Sequence, residues 1–184
     1  MSLLSRLFGH RVGSAYAAGI ALYEEGRYAE AIALLRSAVR EDSSTPAESL
    51  ASFHLRQALV GEGRRLLRLG QSAAAEPLLR EAVEQWPHFP DLQFFTGAAA
   101  GLKGDWEKAL AAAHRALRSN PDYCEARLLE ACAYAHLDRS PEAAESLNKL
   151  LETGRRVEHP LIAALARPDP YQPSELPIDL DEKL

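Results

Sequence analysis

Side chains able to do acid–base, nucleophilic or metal chemistry are present in this 184-residue chain, but not at the spacings such chemistry uses. The histidines, His10, His54, His88, His114, His136 and His159, are scattered. None stands with another histidine, a cysteine or a carboxylate at a recognised ligand spacing, so no metal is expected. No Gly-rich phosphate loop, nucleophile elbow or Cys/His dyad occurs. Neither catalytic residues nor a cofactor is expected, and the carboxylates Glu24/Glu25 and Glu142/Glu145 read as solvated helix faces. Cys124 and Cys132 lie on one expected helix, about 12 Å apart along its axis. That is too far for a disulfide, so they read as reduced thiols of a cytoplasmic protein. What remains is non-covalent recognition. Arg64 and Arg68 stand four residues apart, on one helical face, and their paired charge suits an acidic segment.

The elements that must position these residues come from a repeat. Gly104 to Tyr123 reads as a turn, an amphipathic helix and a stop. Variants begin at Gly26, Gly70 and Asp138. The anchor alanines Ala31, Ala75, Ala109 and Ala143 fall 44, 34 and 34 residues apart. Gly19, Gly63, Gly97 and Ala131 precede them at a constant interval, and Ala38, Ala82, Ala116 and Leu150 follow. Two helices joined by a tight turn approach to about 8–10 Å only where side chains are small. The expectation is that a small residue on the first helix faces a small one on the second. Leu22, Leu35, Leu66, Leu79, Tyr134 and Leu147 would then fill the space around them. One such pair leaves an apolar face open, so pairs must stack.

This pattern resembles the tetratricopeptide repeat, over roughly residues 14–153. The third repeat matches best, including Pro121 after its second helix. The first matches through Gly19, Leu22, Tyr23, Gly26, Tyr28, Ala31 and Ala38. Ala15 and Gln93 replace the bulky residue that usually opens the first helix, and Asp138 replaces the turn glycine of repeat four. The resemblance implies an all-α chain, a right-handed α-α superhelix of four helix pairs. Repeats are expected at about 14–43, 46–89, 90–121 and 122–154, with a capping helix over 155–167. It also implies a concave groove lined by the first helices. Carried onto this sequence, the groove is Tyr16, Ile20, Tyr23, Val60, Arg64, Leu67, Arg68, Phe94, Ala98, Leu102, Leu128, Cys132 and His136. Such a wall suits an amphipathic or acidic peptide. The Lys and Asn side chains with which some members clamp a chaperone's C-terminal carboxylate are missing, so that activity is not expected.

Composition agrees. Hydrophobic residues make up 47% of the chain, and Ala and Leu dominate them, which favours helix. A net charge of −5 argues against general nucleic-acid binding. No apolar run approaches the ~20 residues that span a bilayer, and the start lacks the form of a signal peptide. Arginine greatly outnumbers lysine, consistent with a bacterial source.

Three segments fall outside the plain repeat. In residues 1–13, Leu3, Leu4, Leu7 and Phe8 share a helical face beside Arg6 and Arg11. This is either an anchor for a partner or anionic membrane, or a turn folded back on repeat one. The longer first step is expected to make one long helix from Pro46 to Leu69, with Thr45, Pro46 and Glu48 forming its capping box. Its extra turns carry Leu50, Phe53, His54 and Ala58. Residues 168–184 form a Pro-rich extended tail, where five acids against Lys183 give −4. There Leu176, Ile178 and Leu180 either dock in the groove or stay solvated.

The function expected is non-catalytic peptide or protein binding in a scaffold or adaptor that assembles a complex. Two rivals are a secretion or assembly chaperone and a membrane-tethered organiser. Self-association through the long helix or the array ends is a further expectation.

Overall fold

The computed structural model describes residues 14–41 and 49–154, together with Ile162 and Leu165. The segment 1–13 with its apolar Leu3, Leu4, Leu7 and Phe8, the Thr45–Pro46–Glu48 capping box and the acidic tail 168–184 lie outside the described residues. Among the described residues every regular element is a helix, and the chain is an all-α solenoid. The elements are α1 (Ser14–Glu24), α2 (Tyr28–Glu41), α3 (Leu50–Arg68), α4 (Ser72–Gln85), α5 (Pro90–Gly101), α6 (Trp106–Ser119), α7 (Cys124–His136) and α8 (Ser140–Glu152). Two compact units divide between Glu62 and Gly63, inside α3.

Each helix pair closes through the same turn. Gly26 N–H donates to the Tyr23 carbonyl at 3.0 Å, and Arg27 N–H to that of Leu22 at 2.9 Å. The same two bonds recur at Gly70/Gln71, Gly104/Asp105 and Asp138/Arg139. They satisfy carbonyls that a helix end leaves open, at the cost of one left-handed residue. The left-handed residues are Gly26, Gly70 and Gly104, with φ of 73°, 70° and 79°. In repeat four Asp138 takes φ 57°, so the turn survives without its glycine.

In the first unit α1 packs on α2 around Ala31, Ile32, Leu35 and Ala38. The first part of α3 contributes Ala51, Leu55, Ala58 and Leu59 to the buried residues. A Cβ on Gly61 would lie 3.0 Å from the Tyr28 ring, so the missing side chain lets that ring sit on α3. Among the described residues α3 begins at Leu50, and the Ser49 hydroxyl accepts from Ser52 N–H at 3.1 Å, as an N-cap serine does.

In the second unit α4 packs on α5, α5 on α6, α6 on α7, and α7 on α8; α5 also meets α7, pair upon pair. Asp105 caps α6 by accepting from Lys108 N–H. Pro90 opens α5, and Pro141 lies in the first turn of α8. Pro77 lies within α4, but it faces outward and the helix continues through it.

The helix contacts show what lies nearest the small positions. A Cβ on Gly19 would lie 2.9 Å from Leu35 Cγ, and one on Gly63 would lie 2.7 Å from Leu79 Cδ2. Each of these glycines therefore makes room for a leucine of the facing helix. At Gly97 small neighbours are among the nearest, Ala112 Cβ at 3.0 Å and the Ala109 carbonyl at 3.2 Å. There Ala113 occupies the register of Leu35 and Leu79, and Leu129 of the next pair reaches in instead, at 2.7 Å.

Candidate peptide-binding surfaces

In the first unit Tyr16, Ile20 and Tyr23 are half-buried on α1, and Val60 is buried. The tyrosines are held by His54 of α3. Its ring centroid lies 5.7 Å from that of Tyr16, 6.1 Å from Tyr23 and 5.1 Å from Phe53, all edge-on. His54 Nδ1 lies 2.8 Å from the Leu50 carbonyl, which can only accept, so that nitrogen carries the proton. The Tyr16 hydroxyl lies 3.2 Å from the same nitrogen. Partial burial holds the Tyr16 phenol above its ordinary pKa. Tyr28 adds a ring 5.6 Å from Tyr23. Phe53 is 46% exposed and Leu50 69%, so an aromatic and aliphatic surface faces solvent here.

In the second unit Arg64 and Arg68 are exposed, while Leu67, Phe94 and Ala98 have no exposure at all. Leu102 and Cys132 are also buried, and Leu128 and His136 are half-buried. The predicted set thus mixes two kinds of residue. Phe94, Ala98 and Leu67 are core, and the arginines are the solvent-facing part. The Arg64 guanidinium lies 5.6 Å from the centre of the Phe95 ring, a cation–π distance. Phe95 in turn packs edge-on against Phe94, and Phe94 against Tyr123. Burial pushes the Tyr123 phenol well above its ordinary value, with Glu125 and Asp91 adding to the shift and Arg64 opposing it. An aromatic platform therefore carries a positive charge that faces solvent. Among the described residues no carboxylate lies within ion-pair distance of either arginine.

His136 is engaged within the chain. Its ring stacks on Trp106 at 3.8 Å and 3°. Its Nε2 lies 3.0 Å from the Leu165 carbonyl and must be the donor.

Sequence reasoning placed His54 on the extra turns of the long helix but missed its contact with Tyr16 and Tyr23, and it missed Phe95 and Trp106. Repeat register put Phe94 on the open face, and only packing distinguishes Phe94 from Phe95. It also missed a buried polar cluster. Glu130, 7% exposed, accepts from Ser146 Oγ at 2.9 Å and Arg127 at 3.1 Å, with His114 Nε2 at 3.2 Å. Ser146 and His114 both meet the carboxylate rather than each other, so the imidazole is not placed to activate the hydroxyl. The cluster ties α6, α7 and α8 together. Among the described residues no group of three His, Cys, Asp or Glu side chains could hold a metal ion. No described helix is long and apolar enough to cross a membrane. An open depression of about 290 Å³ beside α4, α5 and α6 has its charges engaged: Lys103 with Glu76 at 2.6 Å, Lys108 with Asp105, and Arg115 with Gln93 at 2.8 Å.

Comparison with known proteins gives one result for the sequence and one for the fold. A family model described as tetratricopeptide repeat matches residues 11–59, 60–104 and 103–156. A search of curated proteins finds no match. Among solved structures the chain is similar to YrrB, described as a TPR protein with an unusual peptide-binding site. That match has 22% identity and a TM-score of 0.56, covering 81% of this chain and 71% of YrrB. It is also similar to MamA in the AMB-1 form, at 21% identity and TM-score 0.58, covering 85% and 81%. MamA from Desulfovibrio magneticus RS-1 gives 23% and 0.55, covering 77% and 74%.

Proposed function

The chain belongs to the tetratricopeptide repeat family, and from that premise we propose that it is a non-catalytic binding module that holds an acidic or amphipathic peptide segment and so helps to assemble a protein complex. The observation that carries this reading is the Arg64 guanidinium held over Phe95, exposed, with Arg68 one helical turn away. Aromatic support orients the cation without neutralising it, so its charge stays available to a carboxylate. In the first unit the half-buried Tyr16 and Tyr23 around His54 supply rigid aromatic area of the kind that dominates binding energy. The buried, unpaired thiols Cys124 and Cys132 support a cytoplasmic setting.

The test is affinity capture from the source cell with the wild-type chain beside Arg64→Glu/Arg68→Glu. Tyr23→Ala probes the first unit separately. Phe94→Ala is a poor probe, because Phe94 is fully buried and its loss would damage the core. The expected result is a defined partner retained by wild type and lost with the arginine reversal. A partner set identical for both proteins would remove the arginines from the site.

A further inference from the structure

The end of α5, the start of α6 and the end of α7 together build a socket. Gly101 forms its floor. A Cβ there would lie 2.7 Å from Leu165 Cδ2 and 2.9 Å from Trp106 Cζ3, so only a glycine leaves the space that the leucine takes. Trp106 and His136 form one wall, stacked face to face at 3.8 Å. His136 Nε2–H reaches past the side chain to the Leu165 main-chain carbonyl at 3.0 Å. Leu165 has no exposure, and Ile162, three residues before it, is 5% exposed. Both are helical, so they share one face.

These contacts recognise generic features. They read a leucine of the right length and its main-chain carbonyl. Any amphipathic helix carrying a leucine on its apolar face presents the same features. Of the residues that the family resemblance places in a ligand groove, Leu102 follows Gly101 in sequence and His136 is part of the socket wall.

We propose that the Gly101–Trp106–His136 socket is a docking site for the leucine of a short amphipathic helix, filled in this state by the chain's own Leu165. Partner binding and release of Leu165 are then one competition. This rests on the binding-module reading and adds both a ligand class and its regulation. A segment tethered to its own site acts at an effective concentration of about millimolar. A free helix must exceed that concentration in affinity terms, or the tethered segment must be held elsewhere, before the socket opens.

The probe is a fluorescein-labelled synthetic peptide of residues 155–167, titrated into the full chain and followed by anisotropy. The wild type is expected to bind it weakly. Leu165→Asp, which empties the socket, is expected to bind it at least about tenfold more tightly. Adding Gly101→Leu to that variant fills the socket and should abolish the gain. A peptide carrying the Leu165→Asp change should not bind any of the three. Circular dichroism melts establish that each variant is folded. If Leu165→Asp does not fold, Leu165→Ala replaces it, with a smaller gain in the same direction. Equal affinity of the peptide for wild type and the folded Leu165 variant overturns the proposal, as does a gain that survives Gly101→Leu. A partner that needs Arg64 and Arg68 but is indifferent to Leu165→Asp would also overturn it, while leaving the binding-module reading intact.

Discussion

Leu79 Cδ2 of α4 sits 2.7 Å from the point where a Cβ on Gly63 of α3 would be. Leu79 is fully buried, so it cannot swing away freely. Overpacking of this kind costs roughly 1–3 kcal/mol, and the better helix propensity of alanine returns up to about 1 kcal/mol. Gly63→Ala is therefore expected to lower stability by about 1–2 kcal/mol in urea denaturation. In the Leu79→Ala background the same change should be neutral or stabilising, because the clash is gone. Equal costs in both backgrounds would show that Gly63 is not there to receive Leu79.

The turns give a second expectation, with backbone strain as its only source. Nothing lies within 4 Å of a Cβ built on Gly26, so Gly26→Ala meets no neighbour. Its cost is that of a left-handed L-residue at φ 73°, about 1 kcal/mol. Asp138 already bears that cost at φ 57°. Asp138→Gly should raise the denaturation midpoint, by up to about 1 kcal/mol in stability. A loss of stability there would mean that the aspartate side chain makes a contribution greater than the strain.

Glu130 and the exposed ion pairs should behave differently. Glu130 is buried and bonded to Arg127, Ser146 and His114. Removing it leaves Arg127, itself only 20% exposed, without its carboxylate. Glu130→Ala is expected to cost about 3–5 kcal/mol. Glu145→Ala breaks a pair with Lys149 in which both side chains are at least half exposed, and should cost about 0–1 kcal/mol. Chemical denaturation of the two variants side by side checks the contrast.

Burial pushes the Cys132 thiol up to about 11, from an ordinary 9.0. The reactive species is the thiolate, so native Cys132 should resist iodoacetamide at pH 8 and react once the chain is unfolded in urea. The sign of the pH effect follows. Between the two values the unfolded chain has lost the proton and the folded chain keeps it, so stability falls as pH rises through that window. Cys132→Ala should lack this part of the alkaline decline. Rapid alkylation of Cys132 in the native protein would refute the assignment.

Much of the fold was legible in the chain because it depends on local and periodic features. Small residues at fixed steps, left-handed turn positions and Pro at helix starts are written in sequence, and each acts through the residues beside it. The helix pairs, the all-α class and the family follow from them. Tertiary structure decided which face of each helix meets what. Gly19 and Gly63 receive leucines sixteen residues on, but at Gly97 the same register holds Ala113, and Leu129 fills the gap from another pair. Register alone put Phe94 on the open face, whereas packing buries it completely and sets Phe95 beneath Arg64. Glu130 draws its partners from three helices, and Leu165 finds its socket more than sixty residues back along the chain at Gly101. Such contacts are chosen by volume and by the pairing of buried polar groups in three dimensions. Periodicity shows that a residue faces inward; only the assembled helices fix what it touches there.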